Sequence, residues 1–522
     1  MEKLLCLLLT LLATAYVCDA AKILVVFPFP GKSHGILGKA VVKHLLSAGH
    51  EVTYITPFPE NSTKWHEIDV SSNMDMFEDE SEFFTIKSVM NSKFSMNSLS
   101  APIFSLVMDT VSKMTLNHDN VQKLLRDENQ HFDMVVAEWM INDLYAGLAG
   151  FYNTHLVWFS TLDPHWMILH LIDDYSNPAY NGYIVDGCLP FNFFQRVNEL
   201  WFTIIMSFVR ETAANYLQTS GYNSILVPLI EAKGRVAPSF SELRFNATLV
   251  LGNSHVSTGY PVRLPQNYIP VGGYHIDENV KPLPEDLQKL LDNAKNGLIY
   301  FSMGSNFQSK DMPDELKKSL LEVFGSLKQT VLWKFEENLP GLPNNVHIIK
   351  WAPQQSILAH PNCVLFISHG GLLSTTETVA AGKPIVGIPV FGDQLSNVAK
   401  AVSRGFARRV DLSYTMADKL KLEIEEILSN PKYTQKAKEL SLIYHDRPVT
   451  PGQELIHWVN HVLKTGGAPH LRSPALMVPW YQKLYLDLAI LVIIAIIILK
   501  KAMNILWSLI KPKKSNSAKK KN

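Results

Sequence analysis

The 522 residues exceed what one hydrophobic core usually encloses, so two domains with appendages are expected. Lys+Arg and Asp+Glu each number 48, which leaves no formal net charge, and no long basic face stands outside the extreme C-terminus. That balance excludes a nucleic-acid footprint or any other polyanionic macromolecular partner.

The first residues read as a secretion signal over 1–20, with Lys3 as the positive end, Leu4 to Val17 as a short apolar core, and Cys18 and Ala20 as small residues before a cut. Cleavage would remove Cys6 and Cys18 and leave Cys188 and Cys363, too far apart in sequence to suggest a disulfide framework. Asn61 and Asn246 open N-glycosylation sequons, which matter only for a chain that enters the secretory lumen.

The mature chain opens on an apolar strand, Lys22 to Phe27. A loop of Gly31, Ser33, His34 and Gly35 follows, then a helical pattern from Ile36 to Ala48 and a strand from Glu51. Strand, helix and strand at this spacing begin a doubly wound sheet, whose ligands meet the carboxyl ends of the strands. Met134 to Ala137 and Leu156 to Ser160 read as further strands. Between Leu162 and Arg235 the chain is aromatic-rich and irregular, and Phe191, Phe193, Phe194, Trp201 and Phe202 read as the lining of a substrate site. From Tyr268 to about Leu283, Pro, Gly and polar residues suit a linker, placed at 271–284 between a first domain at 21–270 and a second at 285–430.

The second domain repeats the alternation. Strands are expected at Gly297–Ser302, Thr330–Phe335, Val346–Lys350, Val364–Ser368 and Pro384–Pro389, with a helix from Pro313 to Leu327. Helices over 431–483 are expected to pack back and lead to a membrane. Leu484 to Leu499 is apolar apart from Asp487 and is flanked by Trp480, Tyr481 and Tyr485, so 484–500 is long enough for one span. Lysines dominate 501–522, which places the tail in the cytosol and the bulk across the membrane.

The strongest signal runs from Phe366 to Gln394: Phe-Ile-Ser-His369-Gly370-Gly371-Leu-Leu-Ser374-Thr-Thr-Glu377, six residues, then Pro-Ile-Val-Gly-Ile-Pro-Val-Phe-Gly-Asp393-Gln394. A strand that ends in a glycine turn and a helix N-terminus presents backbone N–H groups and a positive dipole end to a pyrophosphate. Upstream stand Ser305, at the end of a strand, and Trp351-Ala-Pro-Gln354-Gln355.

These segments together resemble the membrane-bound UDP-glycosyltransferases, the UDP-glucosyl and UDP-glucuronosyltransferases, and the Leu-Leu-Ser-Thr-Thr version is similar to the insect branch. The resemblance implies an α/β fold of two facing doubly wound, Rossmann-like domains of the GT-B type plus one C-terminal transmembrane helix. It implies a UDP-sugar site in which Trp351 stacks the uracil, Gln354 binds it, and Ser305, His369, Gly370, Gly371 and Ser374 surround the diphosphate. Glu377 would take the ribose hydroxyls, and Asp393 and Gln394 the sugar hydroxyls. Leu373 stands where vertebrate members usually carry Asn.

The resemblance also implies that His34 is the catalytic base. Its near-neutral pKa suits deprotonation of a hydroxyl. The carboxylate that orients it is left between Glu138 and Asp143, with Asp143 favoured because a shorter side chain preserves the usual distance. The implied reaction is inverting transfer of a hexose, glucose above all, from a UDP-sugar to the hydroxyl of small lipophilic acceptors such as phenols, sterols, terpenoids and xenobiotics, giving β-glycosides in a detoxifying role. No metal or other cofactor is expected. UDP-glucuronate as donor, and a non-catalytic lipophile-binding member of the fold, stay open at this point. The resemblance further implies a type I protein of the endoplasmic reticulum, with luminal domains, self-association, and Lys519 to Lys521 similar to a dilysine retrieval signal.

Overall fold

The computed structural model describes residues 20–78, 86, 90, 100–181 and 189–510. Residues 1–19 of the expected signal, Cys188 and the lysines beyond Ile510 lie outside them. The chain divides into two compact units, Met1–Arg472 and Ser473–Asn522.

The first unit holds two parallel sheets. One is built from β1 (Lys22–Val26), β2 (Glu51–Thr56), β3 (His66–Asp69), β4 (Met134–Trp139), β5 (His155–Ser160), β6 (Leu249–Gly252) and β7 (Tyr268–Pro270), in the order β3-β2-β1-β4-β5-β6-β7. The other is built from β8 (Leu298–Ser302), β9 (Thr330–Lys334), β10 (Val346–Ile349), β11 (Cys363–Ser368), β12 (Ile385–Gly387) and β13 (Ala407–Arg409), in the order β10-β9-β8-β11-β12-β13. Strands of such sheets are covered on both faces, so they are apolar throughout rather than alternating. Ile23, Leu24, Val25 and Val26 are all fully buried, as are Leu298, Ile299 and Phe301.

The strand order reverses once in each sheet, between β1 and β4 in the first and between β8 and β11 in the second. At such a point the loops leaving the two adjacent strands diverge and open a crevice at the strands' carboxyl ends. The register pairs Val26 with Ala137 and Ser302 with Ser368. The loops after Val26, Ala137, Ser302 and Ser368 therefore carry whatever the fold presents to a ligand.

Six helices bear on that crevice or on the chain's attachment: α1 (Lys32–Ser47), α2 (Phe193–Val209), α3 (Leu372–Ala380), α4 (Asp393–Ser403), α5 (Pro451–Lys464) and α6 (Leu486–Ile510). Helix α5 returns to the first lobe, where Leu455, Val459 and Val462 join the core of Leu37, Val41 and Phe27. Its start is fixed by a capping box, in which Thr450 accepts from the Gln453 amide and Gln453 reaches back to the Thr450 amide.

Four sequence expectations need correction. Ser33, His34 and Gly35 are not loop residues but form the first turn of α1, for which Gly31 is the N-cap. The stretch Leu162–Arg235 is largely helical, with α2, a π-turn at Arg210–Ala214, and helices Asn215–Ile225 and Val227–Ala232. The linker is no free tether at its start, because Val271 and Tyr274 are buried in the first core and the Tyr274 hydroxyl donates to the Leu37 carbonyl at 3.1 Å. Helix α6 runs ten residues past Lys500, because Ala502, Met503, Ile505, Leu506 and Trp507 continue an apolar helical sequence around the two lysines. Among the described residues α6 is the one helix long and apolar enough to cross a membrane.

Gly38 sets how closely α1 lies on the sheet: a Cβ there would stand 2.4 Å from the Tyr54 hydroxyl and 2.8 Å from Cβ of Phe27. The latter is fixed by the backbone directly after β1 and cannot swing aside. Gly38→Val should therefore cost about 1–3 kcal/mol through overpacking, read as a lowered urea midpoint of the detergent-solubilised chain, and an unchanged midpoint would show that α1 is free to lift.

Candidate active site

In the first lobe, His34 rises from the first turn of α1 and Glu138 from the end of β4, on either side of the strand-order reversal. Nδ1 of His34 is hydrogen-bonded to Oε1 of Glu138. The edge of Phe29 packs on the imidazole at 4.5 Å between ring centres. Glu138 is 2% exposed, and its second oxygen is buried without a hydrogen-bond partner. When Nδ1 donates to this carboxylate, Nε2 is the accepting nitrogen of the ring.

Asp143 does not pair with His34, which corrects the preference drawn from sequence. Its carboxylate accepts from the Trp139 indole at 2.7 Å, from Arg210 at 3.1 Å and from Nε of Arg244 at 3.0 Å, and Arg244 continues to Glu211 at 3.2 Å. Burial opposes ionisation of Asp143, yet the two guanidiniums and the indole overcome it and hold the carboxyl below its ordinary range. Asp143→Ala would strand two buried guanidiniums, at a cost of about 3–5 kcal/mol. A depressed native pKa means that this contribution is complete above the unfolded value of about 3.9 and fades as pH falls through the lower native one. Chemical unfolding should thus show a constant gap between native and variant chains above about pH 5, narrowing in acid; a gap absent at pH 7 would contradict the assignment.

The second lobe assembles the other predicted residues at its own reversal. Gly304 and Gly370 adopt φ of +90° and +84°, and a Cβ on Gly304 would lie 2.5 Å from the His369 ring, so only glycine lets these two loops meet. His369 is partly buried; desolvation and the nearby Lys334 ammonium push its pKa down to about 4, so the ring is neutral at physiological pH. Its Nδ1 is buried without a hydrogen-bond partner. Helix α3 starts at Leu372 with Gly371 as N-cap, directing its first N–H groups to this place. Ser305 lies on the loop after β8, its hydroxyl 3.4 Å from the Asn306 side chain.

Gln354, Ser374 and Glu377 are brought together. The Gln354 amide donates to Ser374 at 3.0 Å and to Glu377 at 2.6 Å, while Gln355 donates to the other Glu377 oxygen at 3.2 Å. Trp351 is 55% exposed, with the ammonium groups of Lys32 and Lys334 at 5.3 and 5.6 Å from its ring centre. Leu373, the departure from the vertebrate pattern, packs against the first lobe's core, which gives an apolar side chain a place that an amide would not fill.

Asp393 accepts from Asn397 at 2.7 Å, and Gln394 turns its carbonyl back to the Val390 and Phe391 amides at 2.9 and 3.0 Å. Burial raises the Asp393 pKa, and the charges of Lys400, Asp163 and His34 all reach it. The two switch points therefore face one another across one cleft. A cavity of about 300 Å³ beside the start of α1 is walled by Tyr54, Phe58, Trp65 and Trp351 together with the charged Lys32, Lys39, Glu60 and Glu67. Phe193, Phe194 and Trp201 are not part of this wall; they stand 63%, 80% and 60% exposed on the outer side of α2, while Phe191 and Phe202 are buried.

Lys32, Asp163, Lys334 and Lys400 were not singled out from sequence, and only Lys32, two residues before His34, had a local signal. Asn61 and Asn246 are both exposed. Among the described residues no group of three or more His, Cys, Asp or Glu side chains could hold a metal ion. Cys363 is buried and unpaired.

Comparison with known proteins matches residues 21–516 to the family of UDP-glucoronosyl and UDP-glucosyl transferases. A UDP-glycosyltransferase, UGT5, of Dactylopius coccus is 32% identical over 490 residues, covering 92% of this chain and 90% of its own. UDP-glucuronosyltransferase 3A2 of Homo sapiens is 29% identical, covering 91% of each chain. The solved structure of CalG4, the calicheamicin glycosyltransferase, superposes with a TM-score of 0.55 at 16% identity, over 85% of this chain and 98% of that one, a likeness of fold. With the family matched over nearly the whole sequence and its fold present, the chain belongs to the UDP-glucosyl and UDP-glucuronosyl transferase family and is a glycosyltransferase enzyme.

Proposed function

We propose that the chain transfers glucose from UDP-glucose, with inversion, to a hydroxyl of small lipophilic acceptors such as phenols, sterols, terpenoids and xenobiotics. The observation that carries this reading is the buried His34–Glu138 pair, set across one cleft from Asp393. In the scheme, Nε2 of His34 takes the acceptor proton as the oxygen attacks the anomeric carbon. Glu138 holds the imidazole in one tautomer and stabilises the imidazolium that forms. The bond to UDP breaks on the opposite face, and the diphosphate charge is met by the N-terminus of α3 beside His369, without a required divalent ion. Trp351 stacks the uracil, Glu377 binds the ribose, and Asp393 and Gln394 receive sugar hydroxyls.

A neutral hexose is favoured because the sugar end carries the Asp393 carboxylate, which would repel a uronate. The apolar α6 fits a single-pass chain of the endoplasmic reticulum membrane with its active site in the lumen, where lipophiles that partition into bilayers are at hand.

His34→Ala should lower kcat by about 10²–10⁴-fold while leaving UDP affinity within about twofold, since the base touches the acceptor and not the nucleotide. Glu138→Gln should lower kcat less steeply and leave UDP affinity equally unmoved. Radiolabelled UDP-glucose and a phenol panel in microsomes provide the readout. Undiminished transfer by His34→Ala would overturn the scheme, and native chain that binds UDP yet transfers to none of the acceptors would favour a binding protein.

A further inference from the structure

Helix α4 begins at the sugar end of the cleft and runs along the junction of the lobes. Asp393, Asn397, Lys400 and Arg404 recur at intervals of three or four residues, so they share one face. Its far end meets the first lobe, where Arg404 donates to the carbonyls of Val256 and Ser257 at 2.8 and 2.9 Å and to that of Gly259, while Asn397 donates within its own lobe to the Gly370 carbonyl at 3.1 Å. Lys400 lies between these contacts, 6% exposed, and its ammonium is ion-paired to Oδ2 of Asp163.

Asp163 follows β5 and projects from the strand-end edge that also carries His34. Its other oxygen, Oδ1, is buried without a hydrogen-bond partner. Arg404, one turn beyond Lys400, has its guanidinium bound to three carbonyls of the first lobe, and the Lys334 ammonium is bound to the Gly304 carbonyl and Glu336 at 2.9 and 2.8 Å. Lys400 is thus the α4 cation whose charge reaches Asp393 at the start of the helix, where a hexuronate carboxylate would need a counter-ion, and Asp163 already neutralises it.

We infer that the Asp163–Lys400 pair is a charge filter for the donor sugar: by occupying Lys400, Asp163 withholds the counter-ion for an anionic hexuronate and leaves a site suited to a neutral hexose. The inference rests on the proposed placement of the sugar at Asp393 and Gln394. A buried ammonium without its carboxylate is costly, so a chain lacking Asp163 would gain by binding a sugar that brings a carboxylate of its own.

The test uses the full chain in microsomes, with UDP-glucose and UDP-glucuronate as alternative donors to one phenol, and compares the ratio of their kcat/KM values. Asp163→Asn should raise the glucuronate-to-glucose ratio about tenfold or more, and adding Lys400→Met should return it to within about threefold of native. The affinity ratio of the two intact donors, measured by isothermal titration on the solubilised chain, reads the same effect if the variant binds but does not turn over. An unchanged ratio by both measures, with native chain transferring glucose, would overturn the filter and leave the pair as a contact holding the lobes together. Native chain that prefers UDP-glucuronate would instead overturn the proposed donor.

Discussion

A carboxylate sealed from water must be neutralised or bonded, and Glu138 has one side-chain partner among the described residues, the imidazole of His34. Much of the first lobe serves to bring these two groups together. β1 and β4 are neighbours only because the strand order reverses between them, and that reversal sends the two following segments to opposite sides of a crevice. Gly38 lets α1 settle on Tyr54 and Phe27, which fixes the turn that carries His34. The Asp143–Arg210–Arg244 cluster ties the segment after β4 to the helices that follow, so Glu138 stands at the end of a rigid strand rather than on a loose loop.

The second lobe applies the same topology to a different electrostatic task. Positive φ at Gly304 and Gly370 lets two loops close on His369, whose desolvation keeps it uncharged, and α3 turns its free N–H groups to the same place. In the proposed scheme a neutral imidazole, a helix N-terminus and the ammonium of Lys334 nearby supply graded positive potential to a leaving diphosphate. The charges of His34, Asp163 and Lys400 all reach Asp393, so in the proposed scheme protonation of the base and the charge of the sugar are felt at one centre.

What the sequence made legible was what local grammar specifies. The strand, glycine turn and helix from Phe366 to Gln394 are contiguous, and their fixed spacings carry chemical meaning without any knowledge of distant contacts. The choice between Glu138 and Asp143 was not of that kind. The partners that claim Asp143 stand 67 and 101 residues away, on a π-turn and beyond a short helix, and no local pattern announces them. Helix α2 escaped notice for a related reason: it exposes Trp201, Ile204 and Phe208 while burying Phe202 and Met206 beside Glu199 and Thr203, so apolar residues stand on both faces and the helical period is blurred. The helix outlasts the expected span, because Lys500 and Lys501 read as an end whereas the apolar residues after them carry the helix to Ile510.

In the proposed scheme the oxygen that His34 deprotonates displaces UDP in a single step, with UDP leaving on the far side, and this inverts the anomeric carbon. The most direct measurement is the anomeric proton coupling of the glucoside, taken by NMR on product formed from α-linked UDP-glucose before any rearrangement. The account predicts the β-anomer alone. An α-linked product would mean retention through a second displacement, and His34 could then not be acting as the base of a one-step transfer.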